Sequence, residues 1–300
     1  MILIYAILIV VLLSVLIIPI LESRQKGIIT LISVIGVSIL SSIPAINALT
    51  GEPLEILLSG TIVTSVIPVR IDALSAWFIL TINFTFITGI IYGMSYMQAY
   101  KNQKSNLSLH WISYILAHTA LVTICSVQNS LVFLIAWEIM ALSAFFLVIF
   151  ESYSAKTLKA GINYLIQSHI SILFITLGFI WVFYKTNSFD FALITEFANS
   201  TTAFGGLILM VCFFIGFAIK AGFVPFHTWL PLAHPAAPAH ISGIMSGVII
   251  KIGIYGILRM IFLIKTDYLA IGYFILLISI ISGIYGVMLA ILQHNLKRLL

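Results

Sequence analysis

Nine apolar runs, each close to the length of a membrane crossing, follow one another at positions 2–20, 28–48, 73–97, 109–128, 131–150, 160–184, 203–222, 239–262 and 268–292. About 20 apolar residues in helical form span the hydrocarbon core of a bilayer. Lipid offers no water to satisfy backbone N–H and C=O groups, so such runs become helices, which satisfy those groups internally. The expectation is an all-α polytopic membrane bundle of about nine to ten transmembrane helices. Composition closes off a soluble fold: 62% of residues are apolar and 8% charged, against about 45–50% and about 25% in soluble domains. The net charge of +5 would suggest nucleic acid in a soluble protein. Here the basic residues sit mainly in short loops, so no nucleic-acid partner is expected and the bilayer is.

The first run has no basic segment before it and no small-residue cleavage site before Pro19, so it reads as a retained span. Between the second and third runs, Leu54 to Val69 alternates Thr, Val and Ile around Gly60 and Pro68 and reads as an interfacial hairpin or loop. The odd loops carry Arg24, Lys26, Lys101, Lys104, Lys156, Lys159, Lys297 and Arg298; the even loops carry Arg70, Lys185, Arg259 and Lys265. Cytoplasmic loops are enriched in Lys and Arg, so eight against four predicts odd loops in the cytoplasm and the N-terminus outside. After Asn295-Leu-Lys-Arg298 the sequence stops at Leu300 where another helix would begin, and a truncated chain is expected.

Histidines aside, three ionisable residues lie deep inside apolar runs: Glu138, Lys220 and Lys251. Each costs about 2.5 to 3.5 kcal/mol at a helix centre. Paired structural charges or lysines reaching for the surface would be the bland explanation. The chemical one is proton transfer: burial disfavours the charged form of a lysine and a nearby carboxylate restores it, so moving the carboxylate switches proton affinity. Lys220 is followed by Gly222, Pro225, Pro231, Pro235 and Pro238, so its helix should break within a turn or two. Broken helices beside intramembrane charges mark ion sites in transporters, because the freed backbone groups can line a wet cavity.

In the next run Gly243, Gly247, Lys251 and Tyr255 lie on one i, i+4 row, which predicts a small-residue groove beside the lysine. His227, His234 and His240 crowd the proline-rich connection and are either interfacial hydrogen-bonding residues or candidates for passing protons between bulk water and the lysines. Their loose spacing, without carboxylate or cysteine, predicts no metal site. Cys125 and Cys212 are too few for a four-thiolate cluster. His118 and His169 stand singly in their spans and read as hydrogen-bonded packing residues.

The segment from Phe217 through Lys220, Gly222, Pro225, His227, Trp229, Pro231, His234, Pro235 and Pro238 to His240 resembles the broken seventh helix of the antiporter-like subunits of complex I, Mrp antiporters and membrane hydrogenases. The stretch Ser242 to Arg259 is similar to that superfamily's eighth helix, and Ala136-Trp-Glu-Ile-Met-Ala-Leu142 to its fifth, in the same order and spacing. His234-Pro-Ala-Ala-Pro-Ala-His240 and Trp137-Glu-Ile-Met140 look most like hydrogenase-4 component B and the formate hydrogenlyase membrane subunit. Complex I chains usually carry an acidic residue where this one has Leu232, which sets it apart from the strict complex I pattern.

The resemblance, which runs from Asp72 onward, implies an inverted-repeat fold with a broken seventh helix. Residues 1–108 would be N-terminal helices with an interfacial segment, 109–264 the first five-helix repeat, and 265–300 the start of an incomplete second. It implies that Glu138 is the fifth-helix carboxylate, Lys220 the seventh-helix lysine and Lys251 the connecting lysine of the eighth. It further implies a proton- or sodium-translocating subunit of the cell membrane without a redox centre of its own. Partners would be other membrane subunits and a peripheral oxidoreductase arm carrying iron–sulfur clusters and nickel–iron or flavin centres. The rivals are an Mrp-type cation/proton antiporter subunit and a purely structural membrane anchor. Three buried charges argue against an anchor, which gains nothing from their insertion cost.

Overall fold

The structure, a computed structural model, describes residues 1–264 and 268–293. Lys265, Lys297 and Arg298 of the loop count, and the further helix expected from Asn295, lie outside these described residues. Twelve α-helices are described: α1 (Ile2–Ile17), α2 (Ser23–Leu49), α3 (Ala73–Tyr96), α4 (Lys104–Ser126), α5 (Ser130–Val148), α6 (Ala155–Thr186), α7 (Ala192–Ser200), α8 (Ala203–Ala221), α9 (Leu230–Ala236), α10 (Ala239–Ile244), α11 (Lys251–Leu263) and α12 (Tyr268–Ile291). A π turn, Met245–Ile249, joins α10 to α11. Among the described residues nine helical stretches are long and apolar enough to cross a membrane, the run Ala239–Leu263 counting as one. They coincide with the nine runs read from the sequence.

Helix ends fall where local chemistry satisfies the exposed backbone groups. At α2, Glu22 and Gln25 form a reciprocal capping box. Asp72 accepts the Ser75 N–H at the start of α3, Asn129 those of Leu131 and Val132 at α5, and Thr202 that of Gly205 at α8. At the far end of α8, Gly222 takes a left-handed conformation, φ +73°, that a residue with a Cβ adopts at a cost.

The expected interfacial segment is a β-hairpin of β1 (Leu54–Leu58) and β2 (Ile67–Ile71), paired antiparallel with Glu55 opposite Arg70. It is stitched to the bundle: Gln128 N–H donates to Pro68 O at 2.8 Å and the Asn129 amide to Thr64 O at 3.0 Å. The same end gathers the α6–α7 loop, where Ser130 N–H meets Phe189 O at 2.8 Å, and α7, whose Thr195 hydroxyl reaches Leu263 O at 2.8 Å. Helix α7 carries too few apolar residues to stand out as a run.

The core lies among α3, α4, α5, α6, α8 and α10–α11, while α1 and α12 present Leu, Ile and Val outward. Close approach of α11 to α8 depends on Gly253 and Gly256. A Cβ at Gly253 would lie 2.5 Å from Phe217 O, and one at Gly256 would lie 2.3 Å from the Phe217 ring. The glycines singled out in the sequence do not play this part: Gly243 has open space at its Cβ position, and Gly247 meets a Thr85 methyl. The π turn is the reason. Its extra residue per turn rotates α11 relative to α10, so the row through Gly243, Gly247, Lys251 and Tyr255 is interrupted, with Lys251 exposed and Tyr255 buried.

Two residues counted as loop charges are buried in helices. Lys26 lies in the first turn of α2 and donates to the Ser108 hydroxyl at 2.5 Å. Arg259, in α11, forms a two-pronged ion pair with Asp72 at 2.6 and 2.9 Å.

Candidate functional site

Lys220 sits in the last turn of α8, one residue before its end, and is 1% exposed. Its ammonium donates to the Tyr164 hydroxyl at 2.6 Å and reaches the Ser168 hydroxyl at 3.5 Å, both on α6. It also stands 4.6 Å from the centre of the Tyr164 ring, against the negative face of the π system. These neighbours are arranged by a polar stripe on α6: Tyr164, Ser168 and Ser171 recur at helical spacing, and Ser171 ties the helix to Gly216 O of α8 at 2.7 Å.

The break after α8 closes the pocket from one side. Beyond Gly222 the chain folds back so that the Trp229 indole N–H donates to Ile219 O at 2.8 Å, capturing a carbonyl freed by the helix end. The Trp229 ring stands 5.2 Å from that of Tyr164. Lys220, Tyr164 and Trp229 therefore form one packed unit at the interruption.

Glu138 is on the neighbouring helix α5, with its side chain 32% exposed. Its carboxylate lies 3.7 Å from Nε2 of His169, itself 52% exposed. Glu138 and Lys220 do not meet within ion-pair distance, although the Glu138 charge acts on Lys220 through space. The near neighbours of the two expected residues are thus Tyr164 and His169; His169 is hydrogen-bonded through Nδ1 to Leu165 O at 2.9 Å and turns Nε2 toward the carboxylate. The polar stripe of α6 was the available signal for Tyr164 and Ser168; a single tyrosine in an apolar run carries no other mark.

Lys251 lies on the outer face of the bundle and donates to Ser246 O at 2.6 Å, within the π turn. The three histidines of the connection go to three places. His227 packs edge-on to Tyr285 of α12, with ring centres 5.1 Å apart. His234 bonds the Ser242 hydroxyl at 2.9 Å and feels the Lys251 charge. His240 points into the bundle and meets His110 of α4, Nε2 to Nε2, at 3.0 Å. His118 bonds the Asn83 side chain at 2.9 Å and stacks on Phe86. Among the described residues no group of three or more His, Cys, Asp and Glu side chains converges as metal ligands would.

Chemically, Lys220 is a buried cation with neutral contact partners and a carboxylate nearby but out of contact. Such a group takes up or releases a proton as the carboxylate approaches or recedes, because the balance between desolvation and charge attraction is set by that distance.

Relatives with known names share this fold and sequence. Hydrogenase-4 component B of Escherichia coli (strain K12) is 33% identical over 238 residues, covering 77% of this chain and 34% of that protein. NADH-quinone oxidoreductase subunit M of Rickettsia bellii (strain RML369-C) is 28% identical over 233 residues, covering 77% of this chain and 46% of that one. The chain thus spans between about a third and a half of the length of these relatives. Among solved structures, the membrane-bound sulfane sulfur reductase, an archaeal respiratory membrane complex, contains a chain that superposes with a TM-score of 0.83 at 19% identity, covering 98% of this chain and 61% of that one. The Mrp complex from Dietzia sp. DQ12-45-1b does so with 0.77 at 19% identity, over 95% of this chain and 53% of that one. Residues 126–300 match the family described as NADH:quinone oxidoreductase/Mrp antiporter, TM. This multi-pass membrane chain belongs to that family.

Proposed function

We propose that the chain works as part of a proton-translocating membrane subunit of a respiratory oxidoreductase complex of the hydrogenase or NADH–quinone type. The observation that carries this reading is Lys220: a nine-tenths buried cation at a helix break, hydrogen-bonded to a neutral tyrosine hydroxyl, with Glu138 near but out of contact. In the resting arrangement Glu138 is held toward His169. When the carboxylate swings to Lys220 the charged lysine is favoured and a proton is taken up; when it returns to His169 the proton is released. Tyr164 keeps the ammonium in place and offers a hydroxyl through which the proton leaves. Lys251, with His234 beside it in the electrostatic sense, is the next acceptor along the membrane.

In this reading residues 109–264 form the first of two repeats, preceded by the N-terminal helices 1–108 and followed from 265 by the start of the second. Iron–sulfur, nickel–iron or flavin centres belong to a peripheral arm, and the N-terminus lies outside the cell membrane. The basic bias of the odd loops supports the last point. The family also includes Mrp-type antiporters, and ion dependence separates the two.

The test is Lys220→Met in the complete complex, reconstituted in vesicles with a pH-sensitive dye. Methionine keeps the apolar stem and carries no proton. Acidification driven by the partner's turnover should fall at least tenfold while electron transfer persists. Pumping at the parental rate would make the lysine structural. Cation-driven proton exchange without any redox partner would favour the antiporter reading.

A further inference from the structure

A cleft of about 780 Å³ opens at the odd-loop end between α2, α3 and α4, lined by none of the residues around Lys220. Its lining combines the apolar Ile28, Leu31, Ile91 and Met94 with the polar Ser95 and Gln98, and the buried Gly27 and Trp111 border it. Gly27 lets Met94 and Trp111 pack close to α2: a Cβ at Gly27 would come within 3.2 Å of Met94 and 3.8 Å of the Trp111 ring. At the rim stand Arg24 and Lys101. The Ser23 hydroxyl donates to Lys101 O at 2.7 Å, which ties the two loops together. Among the described residues no acidic side chain lines the cleft.

A trough of this kind at the end of three spanning helices sits where headgroups meet acyl chains. Water satisfies the rim but not the walls, and an apolar chain satisfies the walls but not the rim. An amphiphile with an anionic head satisfies both, and the volume is in the range of sites that enclose one small ligand, roughly 300 to 1,000 Å³. Basic pockets between membrane helices bind anionic lipid headgroups by the same charge complementarity. We propose that this cleft binds one anionic phospholipid, with its phosphate on Arg24 and Lys101 and an acyl chain along Ile28, Leu31, Ile91 and Met94, within quenching range of the bordering Trp111. The site stands apart from the proton-transfer reading and does not depend on it.

The experiment uses the complex in phosphatidylcholine vesicles, with Trp77→Phe and Trp181→Phe introduced to lower the background from the exposed and half-buried indoles. Brominated phosphatidylglycerol is titrated in, and tryptophan fluorescence is followed. A saturable quench at low mole fraction, lost in Trp111→Phe and not produced by brominated phosphatidylcholine, is the expected result. Arg24→Gln and Lys101→Gln should each raise the phosphatidylglycerol needed for half-quenching by about fivefold, whereas Arg24→Lys, which keeps the charge, should leave it nearly unchanged. Equal quenching by both lipids would mean an unselective trough. Absence of Trp111 quenching by either would mean that another protein segment covers the cleft. Both outcomes overturn the proposal.

Discussion

Arg259 and Lys220 are both buried cations in membrane-crossing helices, and they are held in opposite ways. Arg259 faces a carboxylate in direct contact: two bonds to Asp72, a third to the Ser75 hydroxyl at 2.8 Å and a fourth to Tyr255 at 3.2 Å. Ser75 and Tyr255 in turn donate to Cys125 O. Both terminal guanidinium nitrogens in that cluster have fixed partners, and together these bonds pin α11 to α3 and α4. Lys220 has a neutral hydroxyl in contact and its carboxylate out of reach. A cation clamped by a two-pronged carboxylate stays charged. One held by a neutral partner can lose its proton without leaving a bare anion behind. Under the proposed function the difference separates a structural pin from a switch, and residue type adds to it, since an arginine keeps its proton whatever its partner while a lysine can lose it.

The comparison breaks most visibly if one side of the pin is removed. Asp72→Ala leaves the Arg259 charge buried and unpaired, and should destabilise the bundle by about 3 to 5 kcal/mol. Replacing both partners, Asp72→Ala with Arg259→Met, removes the stranded charge and should recover most of that loss. Thermal unfolding in detergent of the single and double variants measures both. A single variant as stable as the parent would mean that Arg259 is not a pin.

The pin should also be sensitive to acid. Burial of Asp72 would raise its carboxyl, but the Arg259 hydrogen bonds, the Ser75 N–H and the Arg259 and Arg70 charges outweigh it and hold the group down at about 2, against an ordinary 3.8. Because the folded state lowers this value, the contribution is fully present above pH 4 and is lost as pH falls through about 2. It amounts to about 2 kcal/mol. The stability gap between the parent and the Asp72→Asn/Arg259→Met variant should be constant from pH 5 to 7 and shrink by that amount below pH 4. A gap independent of pH down to 2 would contradict it.

Much of this architecture was legible because it is local. Run length sets the nine spans, while the caps at Asp72, Asn129 and Thr202, equally local, came only with the structure. The helix break followed from Gly222 and the prolines for the same reason. The pin was not legible, since Asp72 and Arg259 are 187 residues apart and each alone reads as a helix-end charge. Nor was the exposure of Lys251, because a periodicity argument assumes an unbroken α-helix and the π turn adds a residue that no side chain in Met245–Ile249 announces. The site was half legible: the charges showed themselves by their insertion cost, but a tyrosine costs little in an apolar run, so the contact partner of Lys220 did not.

That partner gives a smaller effect. Tyr164→Phe keeps the ring against Trp229 and removes the hydroxyl that meets the ammonium at 2.6 Å. Losing a hydrogen bond to a charged group costs about 1.5 kcal/mol or somewhat more. Assembly should survive, and pumping should fall severalfold with a shifted pH profile, because the lysine then depends on Ser168 and Glu138 for its charged form. An unchanged pH profile would assign the tyrosine to packing alone.

The smallest stability effect is expected where the functional effect is largest, at Lys220 itself. Lys220→Met removes a charge from a nine-tenths buried site, which relieves its desolvation, and gives up the hydrogen bond to Tyr164, whose hydroxyl still has Ser168 nearby. The two changes offset, and the near-equal volume of the side chains leaves packing intact, so unfolding should stay within about 1 kcal/mol of the parent. Arg259→Met alone is the matched control in the pin. There the departing cation strands Asp72, 25% exposed, beside a buried serine and tyrosine, and the loss should be at least twice as large. Measuring the two lysine and arginine variants side by side tests the distinction directly. If Lys220→Met unfolds as readily as Arg259→Met, Lys220 is as much a structural charge as Arg259, and a neutral first partner does not identify a switch.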